Sequence, residues 1–299
     1  MQVSSELAEE FRHYRTIVKG GSALTAEAYL RSATMYFTWL GDQDMTSRSV
    51  ERWLIDLYAA GHLANSSRAN RLAGLRAVCG WMVERGEMDD DPTVGVPSPK
   101  FSHHSAQKFS KNDMHLLLTA GDLQTVQGLR DRAIILLFYI TGMRRSEMAR
   151  LQLEHLTLGQ TTGRVSICGK GLVNRGVSFE GARVVSVIRA WLVARAGVAD
   201  VTCSYVFCSI ITGNKLGFGG LRGVLLRSAM LAGLGDEGVF LHKLRATFAT
   251  DLYDQGMDIK TIQLLMGHAR VDTTMCYIAI SEKHLKSARL SAVYTHGLL

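Results

Sequence analysis

The sequence predicts a mainly α (α+β) fold: a helical N-terminal domain, then a mostly helical C-terminal domain with a small antiparallel sheet. Three observations support this prediction. Apolar residues recur at helical spacing through most of the chain. One pair of alternating apolar segments with glycines between them marks a β-hairpin near residue 170. The three prolines, Pro92, Pro97 and Pro99, lie close together and mark the end of the helical first part.

Length and composition agree with two ordinary domains. The chain has 299 residues, and a domain has about 150. We place a helical domain at 1–100, a linker at 101–108 and a second domain at 109–299. With 47% hydrophobic and 20% charged residues, the chain is not expected to be disordered. The apolar run 133–143 is too short to span a membrane.

Compartment and partner class are indicated by the cysteines, the first residues and the charge. Five scattered cysteines and a polar, acidic opening predict a cytoplasmic protein without a secretory signal. The net charge is +7, with −2 in residues 1–100 and +9 in residues 101–299. Such a concentration of basic residues is typical of a nucleic-acid partner, and a merely basic soluble protein is an equal alternative on charge alone.

The first domain is predicted to contain helices at 26–40, 50–60 and 67–85. The third has an apolar stripe through Leu72, Leu75, Cys79, Met82 and Val83. Three arginines lie away from the centre of that stripe: Arg68, Arg71 and Arg76. Two interpretations of these arginines are equally good: they are solvated side chains, or they contact DNA phosphates.

The second domain begins with an apolar helix that ends at Gly142. Arg144, Arg145 and Glu147 follow at the start of a polar helix. The hairpin comes next, with predicted strands at 164–168 and 175–179 and Lys170 in the glycine-flanked turn.

Two further patterns follow the hairpin. The run Leu241-His242-Lys243-Leu244-Arg245 predicts a helix with His242 and Arg245 on one face, at spacing i, i+3. Gly267 can end a later helix directly before His268, and Asp272 can cap the next one, which contains Tyr277.

Together these patterns resemble the tyrosine recombinase (phage integrase) family, in its simple Xer/Cre-like type without an arm-binding domain. The family's signature is matched in order, with the tyrosine nine residues after the last histidine: Arg144, Lys170, His242, Arg245, His268 and Tyr277. The first domain resembles the family's core-binding, SAM-like DNA-binding domain, including the run 67–72. The resemblance covers nearly the whole chain.

The resemblance implies an enzyme that cleaves and rejoins DNA through a 3′-phosphotyrosine intermediate, with no metal and no cofactor. Tyr277 would be the nucleophile and Lys170 the general acid. Arg144 and Arg245 would stabilise the phosphate, because their planar donors match its non-bridging oxygens. His242 and His268 would assist proton transfer and phosphate binding. In addition, Glu147 is expected to orient the site, and Arg145 joins the three helical arginines as a DNA-binding candidate.

The resemblance also implies a cellular context. The partners would be double-stranded recombination sites, synapsed by a homotetramer, with no membrane involved and with the protein in the cytoplasm on the nucleoid. The amphipathic segment 280–292 would dock the C-terminal tail on a neighbouring protomer. The reaction would integrate, excise or resolve a mobile element or replicon. Ala246, where the family usually has histidine, favours a mobile element.

Three alternatives remain open. A type IB-like topoisomerase would use the same chemistry without strand exchange, and an accessory protein would bind DNA without cleaving it. A metal-dependent nuclease is disfavoured because no carboxylate cluster has ligand-like spacing. Tyr294 lies in a Tyr-Thr-His sequence that often contains the family's nucleophile, but it follows His268 by 26 residues, so we assign it to the tail.

Overall fold

The computed structural model describes residues 4–100, 108–168, 174–236, 238–268 and 274–275. Its contacts divide the chain into two compact units, Met1–Ser102 and His103–Leu299. Each unit has its own hydrophobic core. Both are mostly helical, and a three-stranded antiparallel sheet lies in the second. The predicted mainly α (α+β) class is therefore confirmed. Of the described helices, none has the length and apolar character needed to cross a membrane.

The first unit is a set of helices packed around aromatic and aliphatic side chains. Its helices are α1 (Ser5–His13), continued by a π-helical turn (Tyr14–Val18), α2 (Ala23–Leu40), α3 (Ser47–Ala59) and α4 (Asn65–Glu84). Helices α2 and α3 begin before the predicted residues because Ser22 and Thr46 accept hydrogen bonds from their first turns. Trp53 and Leu72 lie fully inside this core. The three predicted helices are confirmed.

Two of the three arginines singled out in the first unit make contacts within it. Arg68 stacks 5.0 Å from the ring centroid of Tyr58 and donates to the Leu54 carbonyl at 3.2 Å. Arg76 donates to the carbonyl of Val96. These bonds join α4 to α3 and to the turn-containing segment that follows α4. The Tyr58 ring on which Arg68 stacks is itself 50% exposed.

The second unit is built around one buried helix. Its helices are α5 (Lys111–Thr119), α6 (Val126–Thr141), α7 (Arg145–Arg150), a 3-10 turn (Leu153–His155), α8 (Ala182–Ala196), α9 (Phe218–Leu231), α10 (Leu241–Asp254) and α11 (Ile259–Met266). Helix α6 contacts α5, α8, α9 and α10. Its segment 133–138 is buried throughout. This surrounding by neighbours explains why the segment is apolar on every face.

The sheet pairs three strands in sequence order: β1 (Leu156–Leu158), β2 (Thr162–Cys168) and β3 (Asn174–Glu180). Both pairings are antiparallel, with Val165 opposite Val177. The two predicted strands are confirmed, and their connection, which includes Lys170, lies outside the described residues. Strand β1 was not predicted, because three residues are too few to show an alternating pattern.

Candidate active site

The second unit brings together five of the residues predicted to act in chemistry: Arg144, Glu147, His242, Arg245 and His268. They come from the start of α7, the first turns of α10 and the residue pair after α11. Three other predicted positions lie outside the described residues: Lys170, Tyr277 and the rejected alternative Tyr294.

Arg144 is held at the junction between α6 and α7. Helix α6 ends at Gly142, whose φ of 57° is left-handed, and a side chain there would collide with the ring of Phe248. The Arg144 guanidinium donates to Glu147 Oε1 at 2.9 Å and to the Gly267 carbonyl at 2.7 Å. Its side chain is nevertheless 40% exposed. Glu147 and the Gly267 carbonyl therefore orient Arg144, while part of its side chain remains exposed to solvent.

Arg245 is the deeply buried cation of the site, with 1% exposure. Its guanidinium donates to the carbonyl of Gly142 and, at 2.6 Å, to the carbonyl of Met266. These carbonyls end α6 and α11, where the helix dipole is negative and favours a cation. The arginine therefore joins α10 to the ends of two other helices, and its position is fixed by backbone atoms.

His268 connects Arg245 to Thr274. Its Nε2 lies 2.8 Å from Arg245 Nη2, and its Nδ1 lies 2.8 Å from Thr274 Oγ1. Arginine has donors and no acceptor, so Nε2 must accept and the proton must be on Nδ1, which donates to the threonine. Burial, and then the charges of Arg245 and Arg144, lower the pKa of His268 to about 3. The imidazole is therefore neutral at pH 7.

His242 lies in the first turn of α10, one helical turn before Arg245. Desolvation of its ring, followed by the positive charges of Arg245 and Arg144, lowers its pKa below the ordinary value. A neutral imidazole beside two guanidinium groups can accept a proton, which is the state required of a general base.

Glu147 is the carboxylate that organises the arginines. Its Oε1 accepts from Arg144 Nη1 and Arg175 Nη1, both at 2.9 Å. Its Oε2 accepts from the Arg144 backbone N–H and from Arg175 Nη2, both at 2.7 Å. Burial alone would raise the pKa of Glu147, but the hydrogen bonds and charges of Arg175 and Arg144 lower it to about 2. Glu147 is thus a fully bonded, ionised support.

Arg175 was missed in the sequence analysis. It lies on β3 with its side chain 9% exposed, and it alternates with the buried Val177 and Phe179. That alternation was visible in the sequence, since residues two apart on a strand share a face. An arginine on the inward face of a strand needs a buried partner. The partner is Glu147.

The charge of the site suits an anion. Two guanidinium groups, those of Arg144 and Arg175, share the carboxylate of Glu147, so this group of three side chains carries a net positive charge. Arg245 lies next to it through its hydrogen bond to the Met266 carbonyl, the neighbour of the Gly267 carbonyl that Arg144 contacts. Among the described residues, no group of three His, Cys, Asp or Glu side chains is placed to hold a metal ion.

Arg145, the remaining DNA-binding candidate, lies beside the site. It is exposed, and its guanidinium lies 5.0 Å from the ring centroid of Phe218, which is itself partly exposed. The three other candidates, Arg68, Arg71 and Arg76, belong to the first unit.

The fold and the charge arrangement define a class of protein. A helical domain that fixes guanidinium groups with backbone carbonyls is equipped to hold a phosphodiester and to stabilise charge developing on its oxygens. The phage integrase family matches residues 107–284, and the phage integrase N-terminal SAM-like domain matches residues 8–86. The chain belongs to the phage integrase family, the tyrosine recombinases.

Relatives of similar length support this assignment. The chain is 29% identical over 282 residues to tyrosine recombinase XerC of Salmonella typhi, covering 93% of this chain and 92% of that protein. It is 30% identical over 298 residues to XerC of Xylella fastidiosa (strain M23), covering 97% and 96%. The predicted family and enzyme class, a tyrosine-type site-specific recombinase, are confirmed.

Solved structures share the fold. The XerH site-specific recombinase bound to palindromic difH substrate, a post-cleavage complex, superposes with a TM-score of 0.74 at 21% identity. That match covers 94% of this chain and 84% of that one. A lambda integrase tetramer bound to a Holliday junction gives a TM-score of 0.69 at 16% identity, covering 93% and 78%.

Proposed function

We propose that this protein recombines double-stranded DNA at specific sites, cutting and rejoining strands through a 3′-phosphotyrosine bond to Tyr277. The observation that carries the proposal is that Arg144 and Arg245 donate to adjacent backbone carbonyls at the end of α11, those of Gly267 and Met266. Glu147 also bonds Arg144, and His268 also bonds Arg245. This arrangement provides fixed donors for the two non-bridging oxygens of one phosphate.

The cleavage step exchanges one phosphoester for another. The Tyr277 oxygen attacks phosphorus and the bond from phosphorus to the 5′-oxygen breaks. Lys170 gives a proton to the leaving 5′-oxygen, while His242, neutral because its pKa is lowered, takes the phenolic proton. Attack by a 5′-hydroxyl on the phosphotyrosine reverses these changes and joins the strands. Arg144 and Arg245 hold the oxygens throughout both steps.

His268 has a supporting role in this scheme. Its Nε2 is bonded to Arg245 and its proton is on the side of Thr274. We therefore assign it to orienting Arg245 rather than to carrying a proton. Thr274 lies three residues before Tyr277, so the same bond ties the start of the nucleophile's segment to the buried arginine.

DNA binding would extend beyond the reacting phosphate. Arg145 is exposed and stacks beside Phe218, which places a cation near the site. Arg71, with Arg68 and Arg76, would contact phosphates from the first unit. Because Arg68 and Arg76 donate to carbonyls within that unit, they would present preorganised guanidinium groups.

The biological role we propose is integration, excision or resolution of a mobile element or replicon. Ala246 supports a mobile element, because it stands where the family usually has histidine. In the structure Ala246 packs in a small apolar cluster with Phe248 and Ile262. Two site-bound pairs of protomers would form a homotetramer, with the tail from residue 280 docked on a neighbour. The enzyme would work in the cytoplasm, on the nucleoid.

The test is capture of a covalent complex. The protein is incubated with fragmented DNA of its host, denatured, and the DNA that stays attached is sequenced to recover the site. A plasmid with two recovered sites then separates the outcomes. Recombined circles support the proposal, relaxation without recombination indicates a type IB-like topoisomerase, and binding without any adduct indicates an accessory protein.

A further inference from the structure

Arg175 has no part in the six-residue signature, yet it makes the most constrained contacts in the site. It donates to both oxygens of Glu147, from Nη1 at 2.9 Å and from Nη2 at 2.7 Å. Its Nε donates to the Leu265 carbonyl at 2.7 Å. A two-pronged pair of this kind fixes the plane of a carboxylate as well as its distance.

The same guanidinium lies against the backbone of Gly267. A Cβ at that glycine would lie 2.9 Å from Arg175 Nη1 and 3.3 Å from Cζ. Gly267 has a φ of 63°, and its carbonyl accepts from Arg144 at 2.7 Å. Arg175 therefore touches both groups that orient Arg144: the Glu147 carboxylate on one side and the turn after α11 on the other.

We propose that Arg175 is a positioning residue for the recombination reaction. It fixes the position of the Glu147 carboxylate and of the turn from Leu265 to Gly267. These two groups in turn keep the Arg144 guanidinium oriented toward the reacting phosphate. This inference rests on the proposed function. Without Arg175 each Glu147 oxygen loses one of its two donors, and the carboxylate is free to turn together with Arg144.

Substitution is expected to slow the chemical step and to leave DNA binding intact. Arg175→Lys keeps the charge but loses the planar fork. We expect it to lower the single-turnover cleavage rate by about 10- to 100-fold, the scale on which a displacement of about 1 Å acts. The dissociation constant for DNA should change little, since the donors of Arg175 are directed to Glu147 and to the Leu265 carbonyl. Arg164→Met, at an exposed position of neighbouring β2, is the matched control.

A pH profile distinguishes positioning from a general loss of structure. In the wild type, Glu147 remains ionised well below pH 4, since its pKa is about 2. Arg175→Met removes its main donor while burial persists, so the carboxyl is expected to protonate at higher pH and cleavage to fall in mild acid. The other charged and titratable groups of the site are Arg144 on α7, His242 and Arg245 on α10, and His268 after α11. They are present in every variant, so the fall should disappear in Arg175→Met/Glu147→Gln.

The deciding experiment uses a nicked duplex carrying the sequence recovered from the wild-type covalent complex. The inference predicts slow cleavage with unchanged binding for Arg175→Lys and normal behaviour for Arg164→Met. It also predicts a non-additive double variant. Arg175→Lys/Glu147→Gln should cleave at least about fivefold faster than expected from multiplying the two single-variant rate losses, because both substitutions disrupt the same ion pair. Wild-type cleavage by Arg175→Lys, or losses that multiply, would overturn the inference alone. A wild type that forms no covalent complex would overturn the proposed function and this inference with it.

Discussion

The neutral state of His268 gives a prediction that needs no DNA. The ordinary pKa of histidine is 6.5, and that of His268 is about 3. Between these values the unfolded chain binds a proton at this position and the folded chain does not, so acid favours unfolding. The contribution of the neutral His268 to the free energy of unfolding is fully present above pH 6.5, and it is lost progressively as the pH decreases toward 3. Each pH unit in that window corresponds to about 1.4 kcal/mol, so the loss from pH 7 to pH 5 is about 2 kcal/mol.

The perturbation is His268→Gln, which keeps an acceptor for Arg245 but cannot be protonated. We expect the difference in unfolding free energy between pH 7 and pH 5 to shrink by about 2 kcal/mol in this variant. Labelling with fluorotryptophan allows ¹⁹F NMR to follow urea unfolding at Trp191, which is buried in the second unit. His115→Gln, at an exposed position on α5, is the control.

Two features sharpen this comparison. The pKa of Glu147 is lowered from 4.5 to about 2, so its stabilising contribution is lost below pH 4.5, outside the chosen window. The pKa of His242 is lowered as well, so acid destabilises the fold through His242 too. This effect has the same sign in wild type and in His268→Gln. If wild type and His268→Gln lose equal stability on acidification, His268 is not held neutral in the folded chain by its burial and the neighbouring arginines.

The remaining predictions concern the reaction and the turn that supports it. Arg144→Ala and Arg245→Ala should each slow single-turnover cleavage by at least about 10²–10³, with gel-shift affinity changing far less; cleavage at the wild-type rate would leave that arginine a structural role. Lys170→Ala should be nearly inactive on ordinary DNA and recover when a bridging sulfur replaces the leaving 5′-oxygen, whereas equal loss on both substrates would exclude a general acid. Gly142→Ala should lower stability by about 1–3 kcal/mol, because φ is 57° and the Phe248 ring fills the space; unchanged urea unfolding would contradict that packing.

The parts of the site that the sequence predicts are those with local signals. Gly142 and Gly267 end α6 and α11 as expected, because a left-handed cap favours glycine and the preceding apolar pattern stops there. The shared face of His242 and Arg245 follows from helical spacing alone. These residues are visible because each signal is contained within a few neighbouring positions.

The supports of the site have no such signals. Arg144 is held by the carbonyl of Gly267, 123 residues away, and a backbone carbonyl has no residue type that a pattern could reveal. Arg175 and Glu147 are 28 residues apart on different elements. In the first unit, Arg68 resembles any exposed helical arginine until the Leu54 carbonyl is seen beneath it. Such contacts arise from tertiary packing and require the folded chain.

Tyr277 is the residue proposed to form the covalent bond to DNA, and one denaturing gel tests this assignment. Wild type, Tyr277→Phe and Tyr294→Phe are each incubated with a nicked duplex containing the recovered site, denatured and separated. We expect an adduct for wild type and for Tyr294→Phe, and none for Tyr277→Phe. The Tyr277→Phe protein should still shift native DNA, because the ring and the arginines remain. An adduct that persists in Tyr277→Phe and disappears in Tyr294→Phe would contradict this assignment.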